Sequence, residues 1–471
     1  MSELPHYSSD DLLRAGRELA PPFTLDVDFG EGERCFRVDA LLRLLPQRRL
    51  AARAVALDVD ADQPAAGPVL LKLFYGAGAV GYAAREHAGY ERLAAARLPT
   101  PERLAHSDTA CLYRWLEATP VDEDDPAAID ATIDAIGLLH AAALLQSDMH
   151  LANFLYDGER VWLVDPDGIR ALSGEGRVAA PYRDNLAVFF AQLPPTADIH
   201  LPGRLMRYCH SAHIATDSED ALLLAQQLPL AVDRARAERV SRYLSKTMRD
   251  CTAFAAFEAP QRRFVALREA LGPELTAFAR DPEACLDHSV VLKAGNTATV
   301  MRVTIDGVSR IVKRYNIKSL SHRLRQSLRS SSRAERSWRN GHLLQFLRLP
   351  TATPIALLET RRAGLRDVAY LVTEDLGTVD LLAHFKDAPL TEALLDQITE
   401  LFGALAAARL VHGDCKATNW LLHDAQLYLI DLDSLRSARS GYARDRARFC
   451  ANWPAESEIG ARLRARLKAD A

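Results

Sequence analysis

Two stretches of this chain, "QSDMHLANFLYDGERVWLVDPDG" (146–168) and "HGDCKATNWLLHDAQLYLIDLDS" (412–434), carry the same chemistry at one fixed spacing. Asp148 and Asp414, Asn153 and Asn419, Asp165 and Asp431, Asp167 and Asp433, and Gly137 and Gly403 are each 266 residues apart. A duplicated unit accounts for this. The flanks agree: "GLLHAAALLQSD" and "GALAAARLVHGD" both read as an Ala/Leu-rich helix entering a loop. After the loop, "NFLYDGERVWLVD" and "NWLLHDAQLYLID" both read as two short strands around a polar turn. The chain is therefore expected to fold as two copies of one domain, which its 471 residues can accommodate.

Upstream, the register loosens as loop insertions would make it. Lys72 in "PVLLKLF" and Lys313 in "SRIVKRYN" each sit in a strand-like run, Glu86 and Glu335 follow in helical segments, and both segments close on "RLPT". Downstream, "YRDNLAVFFAQLP" and "YARDRARFCANWP" place Asp184 and Asp445 before matching apolar residues. The boundary is expected after "DRARAERVSRYLSKTMRD", giving domains 1–250 and 251–471.

Composition excludes several classes. A hydrophobic share of 48%, a charged share of 25% and a net charge of −4 fit a globular protein and argue against a general polyanion binder. Seven scattered cysteines form no C-x-x-C pair, so neither a disulfide framework nor a zinc site is indicated. The N-terminus lacks the basic start and apolar core of a signal peptide, and no apolar run is long enough to cross a bilayer. A cytoplasmic protein, at most peripheral on a membrane, is expected.

An Asp and an Asn five residues apart in a loop, followed by an Asp at a strand end, is what phosphoryl transfer from ATP requires. The loop Asp takes the acceptor hydroxyl's proton, the Asn and the later Asp hold magnesium, and a strand lysine oriented by a helix glutamate grips the phosphates. Lys313, Glu335, Asp414, Asn419 and Asp431 supply these parts in order. Taken singly, each has a plainer reading: an acidic surface loop for Asp414, or a strand-edge lysine for Lys313. The duplicated spacing favours the functional one.

In its second half the chain resembles the bacterial lipopolysaccharide kinase family, the Kdo and heptose core kinases of protein-kinase-like fold. The residues that carry the resemblance are "VVLKAGNTATVMRVTIDG", "RIVKRYN", "SSRAERSWRN", "VTEDL", "HGDCKATN", "LIDLDS" and "DRARFCANWP", most of residues 288 to 454. It implies an α+β fold of two tandem bilobal domains, each with a small antiparallel N-lobe sheet and a helical C-lobe. It also implies Asp414 as base, Lys416 as a γ-phosphate contact, Asn419 and Asp431 as magnesium ligands, and Lys313, Glu335 and the loop glycine Gly295 as the ATP anchor. The expected reaction is phosphorylation of a sugar hydroxyl in the lipopolysaccharide inner core, heptose or Kdo. The rivals are a tandem scaffold that binds nucleotide or glycolipid without turnover, and a kinase for a protein or small metabolite.

The first half resembles the family more distantly. Lys72, Glu86, Asp148, Asn153 and Asp165 hold the equivalent places, but Gln146-Ser147 replaces His-Gly and His150 stands where Lys416 does. Where a glycine-rich flap is expected the chain reads "LLRLLPQRRLAARAVALD", whose backbone amides cannot approach phosphates as closely, so either Arg48, Arg49 and Arg53 compensate or nucleotide binding is weak.

The segment "KSLSHRLRQSLRSSSRAERSWRNGH" has seven basic residues and one acid. Read as a helix, it puts Arg325, Arg329 and Arg333 on one face, suited to a lipopolysaccharide core glycolipid or an anionic inner-membrane surface. A solvated helix face is the plain alternative. Trp338 is its one stacking aromatic, so no nucleic-acid partner is expected. His140, Trp115, Trp453 and Cys415 read as packing residues, and "GAGAVG" (76–81) as a turn into the next helix because it follows Lys72.

Overall fold

The computed structural model describes residues 4–16, 19–30, 32–57, 67–172, 180–316 and 331–469. Arg325 and Arg329 lie outside the described residues. The chain divides into two compact units, 1–193 with 199–236 and 194–198 with 237–471, and each is α+β. The division falls inside the helix Glu219–Lys246. Its last turns belong to the second unit because Val240 packs against that unit's helical core and Tyr243 stacks on Phe346 at 4.7 Å.

Both units begin with a seven-stranded sheet. In the first unit the central strands Glu33–Leu45, Arg49–Ala56, Val69–Phe74, Ala110–Arg114 and Arg103–His106 are antiparallel neighbours in that order. The second unit repeats the pattern with Val290–Ala294, Ala298–Ile305, Val308–Tyr315, Leu365–Glu374 and Pro354–Arg362. Each sheet adds two strands, on opposite edges of the shared five. His6–Tyr7 and Phe23–Asp28 flank the first strand in one unit, while Phe254–Ala259 and Arg262–Leu267 flank the last in the other. Alternation sets the buried face: Phe23, Leu25 and Val27 of Phe23–Asp28 are in the core and their neighbours are not.

One helix crosses each sheet between its third and fourth central strands, Ala79–Ala95 and Arg333–Phe346. The second is capped by Ser332, which accepts from the Glu335 amide at 2.9 Å. The helical parts follow, beginning in one unit with Pro126–Ala141, capped by Asp125 with Pro126 in the first turn, and including in the other Glu392–Ala407, capped by Thr391. Phe402, Trp420 and Phe449 meet at ring separations of 4.8–5.4 Å to form the second unit's helical core. No helix of the described residues is long and apolar enough to cross a membrane.

Gly89 lets the crossing helix of the first unit touch the turn after Asp165: a Cβ there would stand 1.7 Å from the Pro166 carbonyl oxygen. Gly89→Ala should therefore cost about 1–3 kcal/mol by overpacking, read as a lower urea midpoint; an unchanged midpoint contradicts the close approach. His140 and His342 are buried, and burial pushes each pKa down from 6.5 to about 4. Unfolding frees them to take protons at the ordinary value, so they weaken the fold as pH falls from 6.5 toward 4, by roughly 3 kcal/mol each at the low end. His342→Phe should flatten that acid slope in urea titrations; an unaltered slope contradicts it.

Candidate active sites of the two units

In the second unit Lys313 comes from Val308–Tyr315, whose Ile311, Lys313 and Tyr315 line a cleft while Val312 enters the core. Its Nζ lies 2.5 Å from Asp431. Asp431 follows the strand Gln426–Leu429 with φ 60°, a left-handed conformation that a non-glycine residue adopts at some cost and that aims its carboxylate into the cleft. Asn419 ends a 3-10 turn and donates Nδ2–H to the Asp414 carbonyl at 2.8 Å. The loop is fastened from behind by Asp445, which is buried and accepts from the backbone amides of His412 and Gly413 at 2.6 and 3.2 Å.

Asp414 is half-exposed, with Lys416 at 3.2 Å and Arg448 at 2.5 Å. Burial works against its charge, but the hydrogen bonds from Lys416 and Arg448 prevail and lower its pKa. Burial likewise opposes the Lys313 ammonium, and Tyr315 and Asp431 outweigh it and raise the lysine. The cleft encloses about 360 Å³ between apolar walls that include Val300, Leu371 and Leu421, and its inner end holds Lys313, Asn419 and Asp431. Gly295 turns the hairpin above it, where a Cβ would stand 2.7 Å from the Ala298 carbonyl oxygen.

Glu335 differs from expectation. Its carboxylate faces Arg339 at 3.7 Å, and burial, then Glu359, raise its pKa, so it does not orient Lys313. The "RLPT" pairs explain why: they lie 251 residues apart, and the same offset sets Glu86 opposite Ser337, not Glu335. Ser337 is buried, 3.0 Å from the Tyr315 hydroxyl. Arg333 holds Asp433 and lies over the ring of Tyr315, a residue that lines the cleft.

The first unit repeats the loop in detail. Asn153 Nδ2 donates to the Asp148 carbonyl at 2.8 Å, the Val164 amide donates to Asn153 as Ile430 does to Asn419, both at 3.0 Å, and Asp165 has φ 60°. Lys72 is 2.7 Å from Glu86 and 3.1 Å from Asp165, completing the expected triad. Three details diverge. The fastening of the loop passes to Asn185, which donates to the Gln146 carbonyl at 2.8 Å, while Asp184 is exposed and paired with Arg183. Asp148 is exposed, and the His150 ring accepts from the Ala152 amide. Arg49 lies against Asp165 through both Nη atoms at 3.2 Å and reaches Asp167 at 3.4 Å.

Arg49 and Arg448 were not singled out as site residues by spacing. Arg448 carries its signal in "DRARFC", three residues after Asp445 on one helix face. Cys415 is fully buried with its thiol pKa raised by burial, a packing residue.

In the second unit, Lys313→Met should lower ATP turnover roughly 100-fold, while Glu335→Gln should stay within about fivefold of the parent. Equal losses in the two variants would show that Glu335 serves the lysine after all.

Residues 287–448 match the model of the lipopolysaccharide kinase (Kdo/WaaP) family. A stretch of 163 residues, 33% of this chain, is 28% identical to a probable bifunctional tRNA threonylcarbamoyladenosine biosynthesis protein of Methanospirillum hungatei JF-1, and spans 27% of that protein's length. Among solved structures, WaaP in complex with acyl carrier protein is similar at 20% identity and a TM-score of 0.31, over 41% of this chain and 82% of that one. The likeness to the lipopolysaccharide kinase (Kdo/WaaP) family, a family of kinases, therefore rests on residues 287–448.

Proposed function

We propose that the second unit phosphorylates a sugar hydroxyl of the lipopolysaccharide inner core, using ATP and a divalent cation, magnesium in the cell. The carrying observation is that Lys313, Asn419 and Asp431 line one cleft, with Asp414 joined to Asn419 through its carbonyl, within the segment that matches the family. The residues fit the nucleotide and its metal. Apolar walls accept a flat base, Lys313 meets the phosphates, and Asp431 has one oxygen on Lys313 and no protein donor on the other among the described residues. Asn419 and Asp431 would hold the cation, which supplies charge neutralisation on the transferring phosphoryl group.

Asp414 faces the open side of the loop, where an acceptor hydroxyl can reach it. With its pKa lowered it is a weak base, so its work is to orient the hydroxyl and receive the proton as the new O–P bond forms. Lys416 and Arg448 keep it ionised and present positive charge beside the incoming phosphates.

A kinase for a protein or small metabolite would use the same residues. The likeness to the tRNA threonylcarbamoyladenosine biosynthesis protein keeps that second reading in view. The test is incorporation of phosphate into deacylated lipopolysaccharide core, followed by mass spectrometry. The parent chain should add phosphate, Asp414→Asn should lose at least about 100-fold, and Asp148→Asn should retain it. No incorporation by the parent chain sinks the core-sugar reading, and loss confined to Asp148→Asn moves catalysis to the first unit.

A further inference from the structure

The first unit has a cleft of about 390 Å³ beneath Lys72, with apolar walls that include Leu70, Trp115 and Val164. Glu86, Asp165 and Asp167 bring carboxylate oxygens within 4.8 Å of one another, a grouping that could pass for a cation site. Its charge is already met. Arg49 forks onto both Asp165 oxygens at 3.2 Å and reaches Asp167 at 3.4 Å, Lys72 adds 3.1 Å, and Arg43 stands 3.7 Å away. A divalent ion at Asp165 would have to displace the bidentate guanidinium of Arg49, a residue only 7% exposed. The residues here do not fit a metal.

Strand register shows where this arginine came from. Arg49 pairs with Phe74, two residues past Lys72, and Ala298 pairs with Tyr315, two residues past Lys313. Thus a methyl group in the second unit stands where the first unit has a guanidinium. The turn before Arg49 does not offer amides as a glycine loop does: the Arg48 N–H is donated to the Leu45 carbonyl at 3.1 Å, and Gly76 abuts Gln47 so closely that a Cβ would stand 2.4 Å from its carbonyl oxygen. Phosphate oxygens entering this cleft must meet side chains. Arg49 Nε is buried without a hydrogen-bond partner, a donor that an anion would satisfy.

We propose that the first unit binds the phosphates of a nucleotide without a divalent cation, with Arg49 standing in the metal's place, and transfers no phosphoryl group. The proposal rests on the kinase-like reading of the chain and adds a division of labour to it. Asp165, neutralised by Arg49 and Lys72, becomes a fixed anchor for two cations that face the phosphates, where in the second unit Asp431 remains open to a metal.

Equilibrium binding of ADP to the full-length chain, with magnesium and then with excess EDTA, reads this directly. Two equivalents should bind with magnesium and one should survive EDTA. Arg49→Ala should weaken the EDTA-resistant equivalent about 10- to 100-fold, while Asp431→Asn should leave it intact. Titration of the unmodified chain with manganese and ADP, followed by electron paramagnetic resonance, should count one bound ion. Two bound ions, or EDTA-resistant binding that is absent or indifferent to Arg49→Ala, would overturn the proposal. If the first unit fails in this way while an Asp431-dependent manganese site persists, the kinase reading stands without it; loss of that second site would sink the kinase reading itself.

Discussion

The meeting of a strand lysine with an aspartate held in the left-handed region is the interaction on which both units are built. Lys313 reaches Asp431, and Lys72 reaches Asp165, each spanning from the antiparallel sheet to the turn that follows a short strand in the helical part. A buried ammonium is tolerable only beside such a carboxylate, and the aspartate's strained φ of 60° is tolerable only because the turn is fixed from several sides. In the second unit Arg336 and Asn340 donate to the carbonyls of Asp433, Leu432 and Leu435, so the crossing helix clamps the turn. In the first, the bare surface of Gly89 allows the helix itself to close on Pro166.

From this shared frame the units diverge through single arginines. At each Asp-x-Asp turn the arginine closest to a carboxylate comes from a different element and favours a different aspartate. Arg333, from the start of the crossing helix, takes Asp433 and leaves Asp431 to Lys313. Arg49, from the strand above, takes Asp165 itself. The first aspartate of the turn is thus forked by a guanidinium in one unit and paired with its lysine in the other. A second contrast follows along the helix, where Lys72 has Glu86 as partner while Lys313 finds Ser337 at the matching place and relies on Asp431.

The two Asp–Asn loops were legible in the sequence because their geometry is carried by short-range spacing. Asp414 and Asn419 are five residues apart on one turn, and the strand that returns Asp431 follows within twelve residues. The α+β architecture was implied by the resemblance of those motifs to a kinase family, and each unit has it. Glu335 was misplaced because the insertion between strand and helix breaks the register just where the repeat was being read, and only the "RLPT" pair restores the 251-residue offset. Arg49 was visible as one of several basic residues in a glycine-free turn, yet its partner lies 116 residues away, and no local pattern reports a contact of that range. Asp184 was matched to Asp445 by motif, while Asn185, one residue on, takes the fastening contact by turning its amide to Gln146.

In the reading proposed above, one unit holds a catalytic metal and the other has a side chain in that metal's place. Anomalous scattering from crystals of the chain grown with manganese and ADP tests it most directly. The account predicts a peak between Asn419 and Asp431 and none at Asp165, where Arg49 remains forked on the carboxylate. A peak at Asp165 with Arg49 swung away, or no peak at Asp431, would contradict it.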